Sequence, residues 1–116
     1  MFYNSFLFLL SQLAFQQLGK ISLYGCEVRV KNFPHTKRWE LSADIPAATL
    51  PSHVRECLRL GRKLPLESSD SYLQKTEEAI TFTQTIPSPK KYLQYKACME
   101  NFFEGLSLWV DLKSPH

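Results

Sequence analysis

Apolar side chains recur at three- and four-residue steps near both ends of this chain and at two-residue steps between them. That pattern predicts helices flanking strands. Tyr3, Phe6, Leu7, Leu10, Leu13, Ala14 and Leu18 make one helical stripe, while Asn4, Ser11, Gln12 and Gln16 gather elsewhere. Phe8 and Phe15, seven apart, fall on the otherwise polar side and call for a second buried surface or a partner. From Ile21 to Phe33 the period drops to two. Ile21 and Leu23 share one parity and Cys26, Val28 and Val30 the other, with Glu27, Arg29 and Lys31 facing away. The parity switches beside Gly25, which predicts either a bulged strand or two short strands.

Phe33 to Pro51 contains Pro34, Pro46 and Pro51 and reads as a long loop or irregular turns. Ser52 to Leu60 predicts a helix with Val54, Cys57 and Leu58 on one face and Gly61 as its stop. Arg59, Arg62 and Lys63 cluster where the helix dipole favours cations, and a polar linker runs from Leu64 to Asp70. Ser71 and Gln74 form a capping box that would open a short helix to Ala79. Ile80 to Ile86 is β-branched with period two, hence a strand. Pro87-Ser88-Pro89 ends it, with Ser88 as N-cap and Pro89 as first residue of the next helix. Tyr92, Tyr95, Met99, Phe102, Phe103 and Leu106 carry that helix to Gly105, and Leu106 to Leu112 alternates as a final strand.

These elements add up to a small single-domain α+β fold. A mostly antiparallel sheet from Ile21–Phe33, Ile80–Ile86 and Leu106–Leu112 is packed by amphipathic helices, with an apolar N-terminal helix. The expected organisation is residues 1–19 as that uncharged helix and residues 20–116 as the α+β domain.

Charge sharpens the question posed by the first segment, because residues 1–19 carry none of it. Phe2–Leu18 would span about 25 Å as a helix against a hydrocarbon core of about 30 Å. Asn4, Ser5, Ser11, Gln12, Gln16 and Gln17 would each need a partner in lipid. As a secretory signal the segment has an apolar Phe6–Leu10 core, but no cation precedes it and Lys20, Arg29, Lys31, Lys37 and Arg38 follow. A core or docking helix leads over a membrane anchor and a cleaved signal. With 116 residues, 44% of them hydrophobic, the chain suits one domain with a real core and not a disordered one. A net charge of +3 commits it to no polyanion. Cys26, Cys57 and Cys98 are odd in number and far apart, so reduced thiols in a cytoplasmic setting are expected; membrane-associated and secreted settings are the alternatives.

Chemistry-bearing motifs are sparse. Arg29, Lys31, Phe33, His35, Lys37, Arg38 and Trp39 make the densest mix of cations and rings, the logic of single-strand binding, though they match no named nucleic-acid module. Ser88-Pro89-Lys90-Lys91 offers Ser88 as a candidate phosphorylation site, set against its capping role. His53 and Cys57 stand four apart on a helix, as a ligand pair must, but a zinc site needs two more ligands from Cys26, His35, Cys98 and His116 at no known spacing. The four glycines are scattered, leaving no phosphate loop or nucleophile elbow, and no cofactor is implied. The expectation is therefore a non-catalytic interaction protein. It would bind another protein or a second copy of itself through Phe8 and Phe15, or through Arg29, Lys31, Lys37, Arg38 and Trp39. Membrane anchoring through residues 2–18, weak single-stranded nucleic-acid binding and an orphan product without selected function are the alternatives.

Overall fold

Alternation of apolar and polar residues builds one antiparallel sheet, and the helical stripes cover one of its faces. The computed structural model describes residues 2–23, 25–59, 63–66, 70–76 and 79–110, with backbone only for residues 2–5 and 23. In chain order the described elements are α1 (Phe2–Phe15), β1 (Leu18–Leu23), β2 (Cys26–Phe33), β3 (Arg38–Ile45), a short 3-10 turn (Ala47–Thr49), α2 (Ser52–Leu58), β4 (Leu64–Pro65), β5 (Ser71–Lys75), β6 (Ile80–Pro87) and α3 (Tyr92–Leu106). The strands form a six-stranded sheet in the order β1-β2-β3-β6-β5-β4, with every pairing antiparallel. The fold is thus α+β, as the patterning predicts.

The parity switch at Gly25 is a hairpin. Leu23 pairs with Cys26, and Gly25 has φ 82, the left-handed region that a tight connection needs and a side chain resists. Ile21, Val28 and Val30 turn inward, and Arg29 and Lys31 outward. The core-facing set is completed by Trp39, Leu41, Ala43 and Ile45 of β3, Leu73 of β5, and Ile80, Phe82 and Ile86 of β6. Against it pack Phe6, Leu9 and Leu13 of α1, Val54 and Leu58 of α2, and Tyr95, Met99, Phe102, Phe103 and Leu106 of α3. Burying each such large apolar side chain is worth about 1.5–3 kcal/mol.

Several expectations are corrected. Phe33 to Pro51 is not a loop, because Arg38–Ile45 is a central strand between β2 and β6. Its three prolines flank the strand and leave its backbone donors intact, while Trp39, Leu41, Ala43 and Ile45 alternate without a break. Ser71 opens a strand and no helix. Leu73 lies opposite Phe82 and Ser71 opposite Gln84, so pairing with β6 overrides the local capping signal. Leu106 to Val110 is not a strand either. Leu106 ends α3, the Val110 N–H donates to the Leu106 carbonyl at 3.1 Å, and these two residues, four apart, both reach the core while Leu108 is exposed. Residues 111 and 112, the rest of that proposed strand, lie outside the described residues, as do Gly61, Glu77, Glu78 and His116.

The first helix also ends early, at Phe15, and Leu18 already belongs to β1. The stretch 2–18 is therefore not one continuous helix, and among the described residues no helix is long and apolar enough to cross a membrane. Its buried stripe is Phe6, Leu9 and Leu13, whereas Leu7 and Ala14 face outward. Two contacts fix α1 in place. The Tyr95 hydroxyl donates to the Phe6 carbonyl at 2.7 Å, and Gly19 lets β1 approach α1: a Cβ there would stand 2.6 Å from Leu9 Cδ1.

Candidate functional site

The sheet's second face carries no helix among the described residues, and its side chains can be placed from the register. Across the strands run Leu18, Lys31, Glu40 and Thr85 in one row, and Lys20, Arg29, Ser42, Thr83, Tyr72 and Pro65 in the next. Phe33 and Arg38 stand opposite each other at the end of the β2–β3 ribbon. This face is made of cations interspersed with Glu27, Glu40 and Asp44, threonines, and the rings of Phe33 and Tyr72.

Its strongest polar contact is the fork between Arg29 and Asp44, with hydrogen bonds of 2.8 and 3.4 Å. Those bonds raise the guanidinium's affinity for its proton against a smaller opposing effect of burial. Arg29 is thereby committed to Asp44, and a partner would meet it as a neutralised pair. Lys31, Lys37 and Arg38 are exposed, and no ion pair engages them among the described residues. Lys37 takes a left-handed φ of 55 in the β2–β3 turn, and its carbonyl accepts the Ser88 N–H at 3.0 Å. Trp39 points the other way. It is 7% exposed and meets the Tyr95 ring edge-on at 5.7 Å, inside the core. The structure thus separates Trp39 from Arg38 and Lys37, because neighbours on a strand face opposite sides.

Further along the same face, Arg38, Lys63, Pro65, Leu66, Asp70, Ser71, Tyr72 and Thr85 line a shallow groove of about 380 Å³. The Lys63 ammonium lies 4.6 Å from the centre of the Tyr72 ring, within cation–π range. Sequence patterning does not bring Lys63, Tyr72 and Thr85 together: it puts Lys63 among the cations after α2, Tyr72 in a helix opened by Ser71 and Thr85 in the Ile80–Ile86 strand. A strand assignment for Ser71–Lys75 would have put Tyr72 outward by parity.

Phe8 and Phe15 are exposed, at 62% and 88%, on the side of α1 turned from the sheet. Phe15 ends α1 just before Leu18, and the Asn32 N–H donates to the Gln17 carbonyl, so the β1–β2 register runs on to bring Phe33 alongside this junction. Leu18 and Phe33 share the open face by register and are exposed there, and Phe15 is exposed at the end of α1 three residues before Leu18.

Other candidates are dispersed. His53 and Cys57 are both exposed on α2, and no group of three metal-ligating side chains occurs among the described residues. Cys57 was expected on the buried face with Val54 and Leu58, but a seven-residue helix turns only those two inward. Cys26, Cys57 and Cys98 are free thiols, and burial pushes Cys26 and Cys98 up from the usual thiol value. Ser88 is half-buried and caps nothing: α3 begins at Tyr92 after Lys91, and the Lys90 N–H is taken by the Gln94 side chain instead. Two prolines within three residues hold the backbone extended past the point where Ser88 could cap.

No protein-family model matches this chain, and no curated protein does. Two solved structures share its fold. One, the ExsC–ExsE complex, contains a chain 15% identical that matches with a TM-score of 0.59 over 85% of this chain and 78% of its own length. In the HopA1–SchA chaperone–effector complex the matching chain is 18% identical, with a TM-score of 0.60 over 93% of this chain and 91% of that one. At such identities the likeness is one of architecture.

Proposed function

We propose that this chain is a non-catalytic binding protein that holds a segment of another protein, in the manner of a chaperone with its client. The observation that carries this reading is the exposed apolar surface of α1 and its junction with the sheet: Leu7, Phe8, Phe15, Leu18 and Phe33. A monomer gains nothing by keeping two phenylalanines on the outer side of a helix whose other side already fills the core, and exposed apolar surface of this kind suits a binding partner. The fold likeness supports the reading, since one matching structure is a chaperone–effector complex and both are complexes of two different proteins. Phe8 and Phe15 would be the anchors on α1, with Lys31, Lys37 and Arg38 as further contacts on the open face of the sheet and its β2–β3 turn. Trp39 serves by bracing β3 against Tyr95. A reducing compartment suits the three free thiols.

The test is an unbiased selection of displayed segments against the full chain, followed by titration of the winners in solution. Segments binding at micromolar affinity, weakened about tenfold by Phe8→Ser or Phe15→Ser with the melting temperature held, are the expected result. Sedimentation of the chain alone separates a second copy from a foreign segment as the occupant. If no segment is selected and the chain stays monomeric, the reading fails.

A further inference from the structure

The open sheet face has a chemistry of its own, and it narrows the class of segment that the proposed function requires. Antiparallel sheets commonly leave one face to water, and a mixed polar surface there needs no partner. This face departs from that pattern in three ways. Leu18 and Phe33 are 39% and 43% exposed at one end of it. At the other end Tyr72, Pro65 and Leu66 line the groove of about 380 Å³. Between and beside them stand Lys20, Lys31, Arg38 and Lys63, against Glu27 at the hairpin end of β2, Glu40 and Asp70, once Arg29 and Asp44 have paired.

The edges of the sheet, by contrast, are blunted against an added strand at two places among the described residues. On β1 the backbone of Lys20 points away from β2, and the Gln12 side chain occupies both groups: the Lys20 N–H donates to Gln12 Oε1 at 2.8 Å, and Gln12 Nε2 donates to the Lys20 carbonyl at 3.1 Å. One amide side chain thus stands in for a neighbouring strand. At the far edge β4 is two residues long, and one of them, Pro65, has no N–H to offer. Both devices blunt an edge against pairing.

We propose that the open face receives an acidic, amphipathic segment of the partner protein, lying across the strands. Its apolar residues would rest on the Leu18–Phe33 corner and in the Tyr72 groove, and its carboxylates would meet Lys31, Arg38 and Lys63. The distance fits: from β1 to β4 the face is about 24 Å wide, which about seven extended residues span. This inference rests on the proposed function and adds the sign and the route of the bound segment.

The experiment titrates the isotope-labelled full-length chain with three synthetic peptides about twelve residues long. One alternates Glu or Asp with Leu or Phe, one replaces its acids by Lys, and one replaces its apolar residues by Ser. Expected are amide shifts at Lys31, Arg38, Tyr72 and Thr85 with the first peptide, and binding about tenfold weaker with each of the other two. The Arg38→Glu, Lys63→Glu pair should lose that binding, and Arg38→Gln should lose part of it, with unchanged melting as the check on folding. Shifts confined to β1's edge or to α1, indifference to the acid-to-Lys exchange, or stronger binding of a thymidine oligonucleotide at the same residues would each overturn the inference. Selected segments that map only to Phe8 and Phe15 would leave the proposed function standing and remove this extension of it. A selection that yields no segment at all, with the chain monomeric, removes the function itself.

Discussion

The two faces of one sheet are built from the same strands and do opposite work. On the inner face, residues such as Val28, Val30, Leu41, Ala43 and Leu73 are wholly buried under three helices. On the outer face the alternate positions hold Arg29, Lys31, Arg38, Thr81 and Thr85. A strand's side chains alternate, so residues that stabilise the fold are interleaved with outward ones, of which Lys31 and Arg38 are exposed while Thr83 is buried among its neighbours. The lesson is a separation of duties: substitutions inward should unfold the chain, and substitutions outward should alter binding while leaving it folded.

The largest break in that comparison comes from removing α1. A Lys20–His116 truncation strips Phe6, Leu9 and Leu13 from the inner face and removes the carbonyl that accepts the Tyr95 hydroxyl. The loss should exceed about 5 kcal/mol, the lower end of a domain's whole stability, and abolish cooperative melting. A truncation that melts cooperatively would show α1 to be an appendage. Next in size, Leu9→Ala or Phe102→Ala should cost about 2–5 kcal/mol by urea denaturation, as cavities in a packed core do.

Tyr95→Phe probes a single polar contact within the inner layer and should cost about 0.5–1.5 kcal/mol by removing one buried hydrogen bond to the Phe6 carbonyl. It also carries a pH signature. Burial raises the Tyr95 pKa, so the folded chain holds the phenolic proton more tightly than the unfolded chain. The resulting stability is whole below about pH 10, the ordinary tyrosine value, and is lost as pH climbs toward the raised one. Urea midpoints followed upward from there should fall faster in the native sequence than in Tyr95→Phe.

Outward substitutions should be quiet by the same measurements. Asp44→Asn, which breaks the partly exposed pair with Arg29, should cost no more than about 1 kcal/mol. Lys31→Ser or Arg38→Ser should stay within about 0.5 kcal/mol. A larger cost at either lysine or arginine would mean that the outer face also supports the fold. The cysteines give the smallest and quickest reading: Cys57 should alkylate first, with Cys26 and Cys98 slower because they are half-buried and their thiolates disfavoured. Equal rates at all three would blur the distinction between inside and outside.

Much of the inner face was legible in advance. Phe6, Leu13, Val28, Val30, Tyr95, Met99 and Phe102 follow from periodicity, since burial selects apolar residues at the spacing of the element that carries them. β3 was legible too, in the alternation Trp39, Leu41, Ala43, Ile45, but the nearby prolines drew attention from it. The outer face was only half legible. Arg29, Lys31 and Arg38 stand out as cations, yet nothing local says that Tyr72, Lys63 and Thr85 lie on the same surface, because sheet order places them there across long stretches of chain.

By itself, then, the chain determined its α+β class, a break in the strand pattern at Gly25 that the structure resolves as a hairpin, the helix through Tyr95 and Phe102 and the outward setting of Phe8 and Phe15. Each of these is encoded by neighbours within a few residues, through side-chain period or a required backbone angle. Only the tertiary structure decided that Ser71–Lys75 is a strand, that Leu106 and Val110 close a helix end, and that Gln12 seals the edge of β1. In those places the local preferences are weak or divided, and the free energy of a long-range contact settles the conformation: pairing with β6, burial against the core, or a hydrogen bond to Lys20.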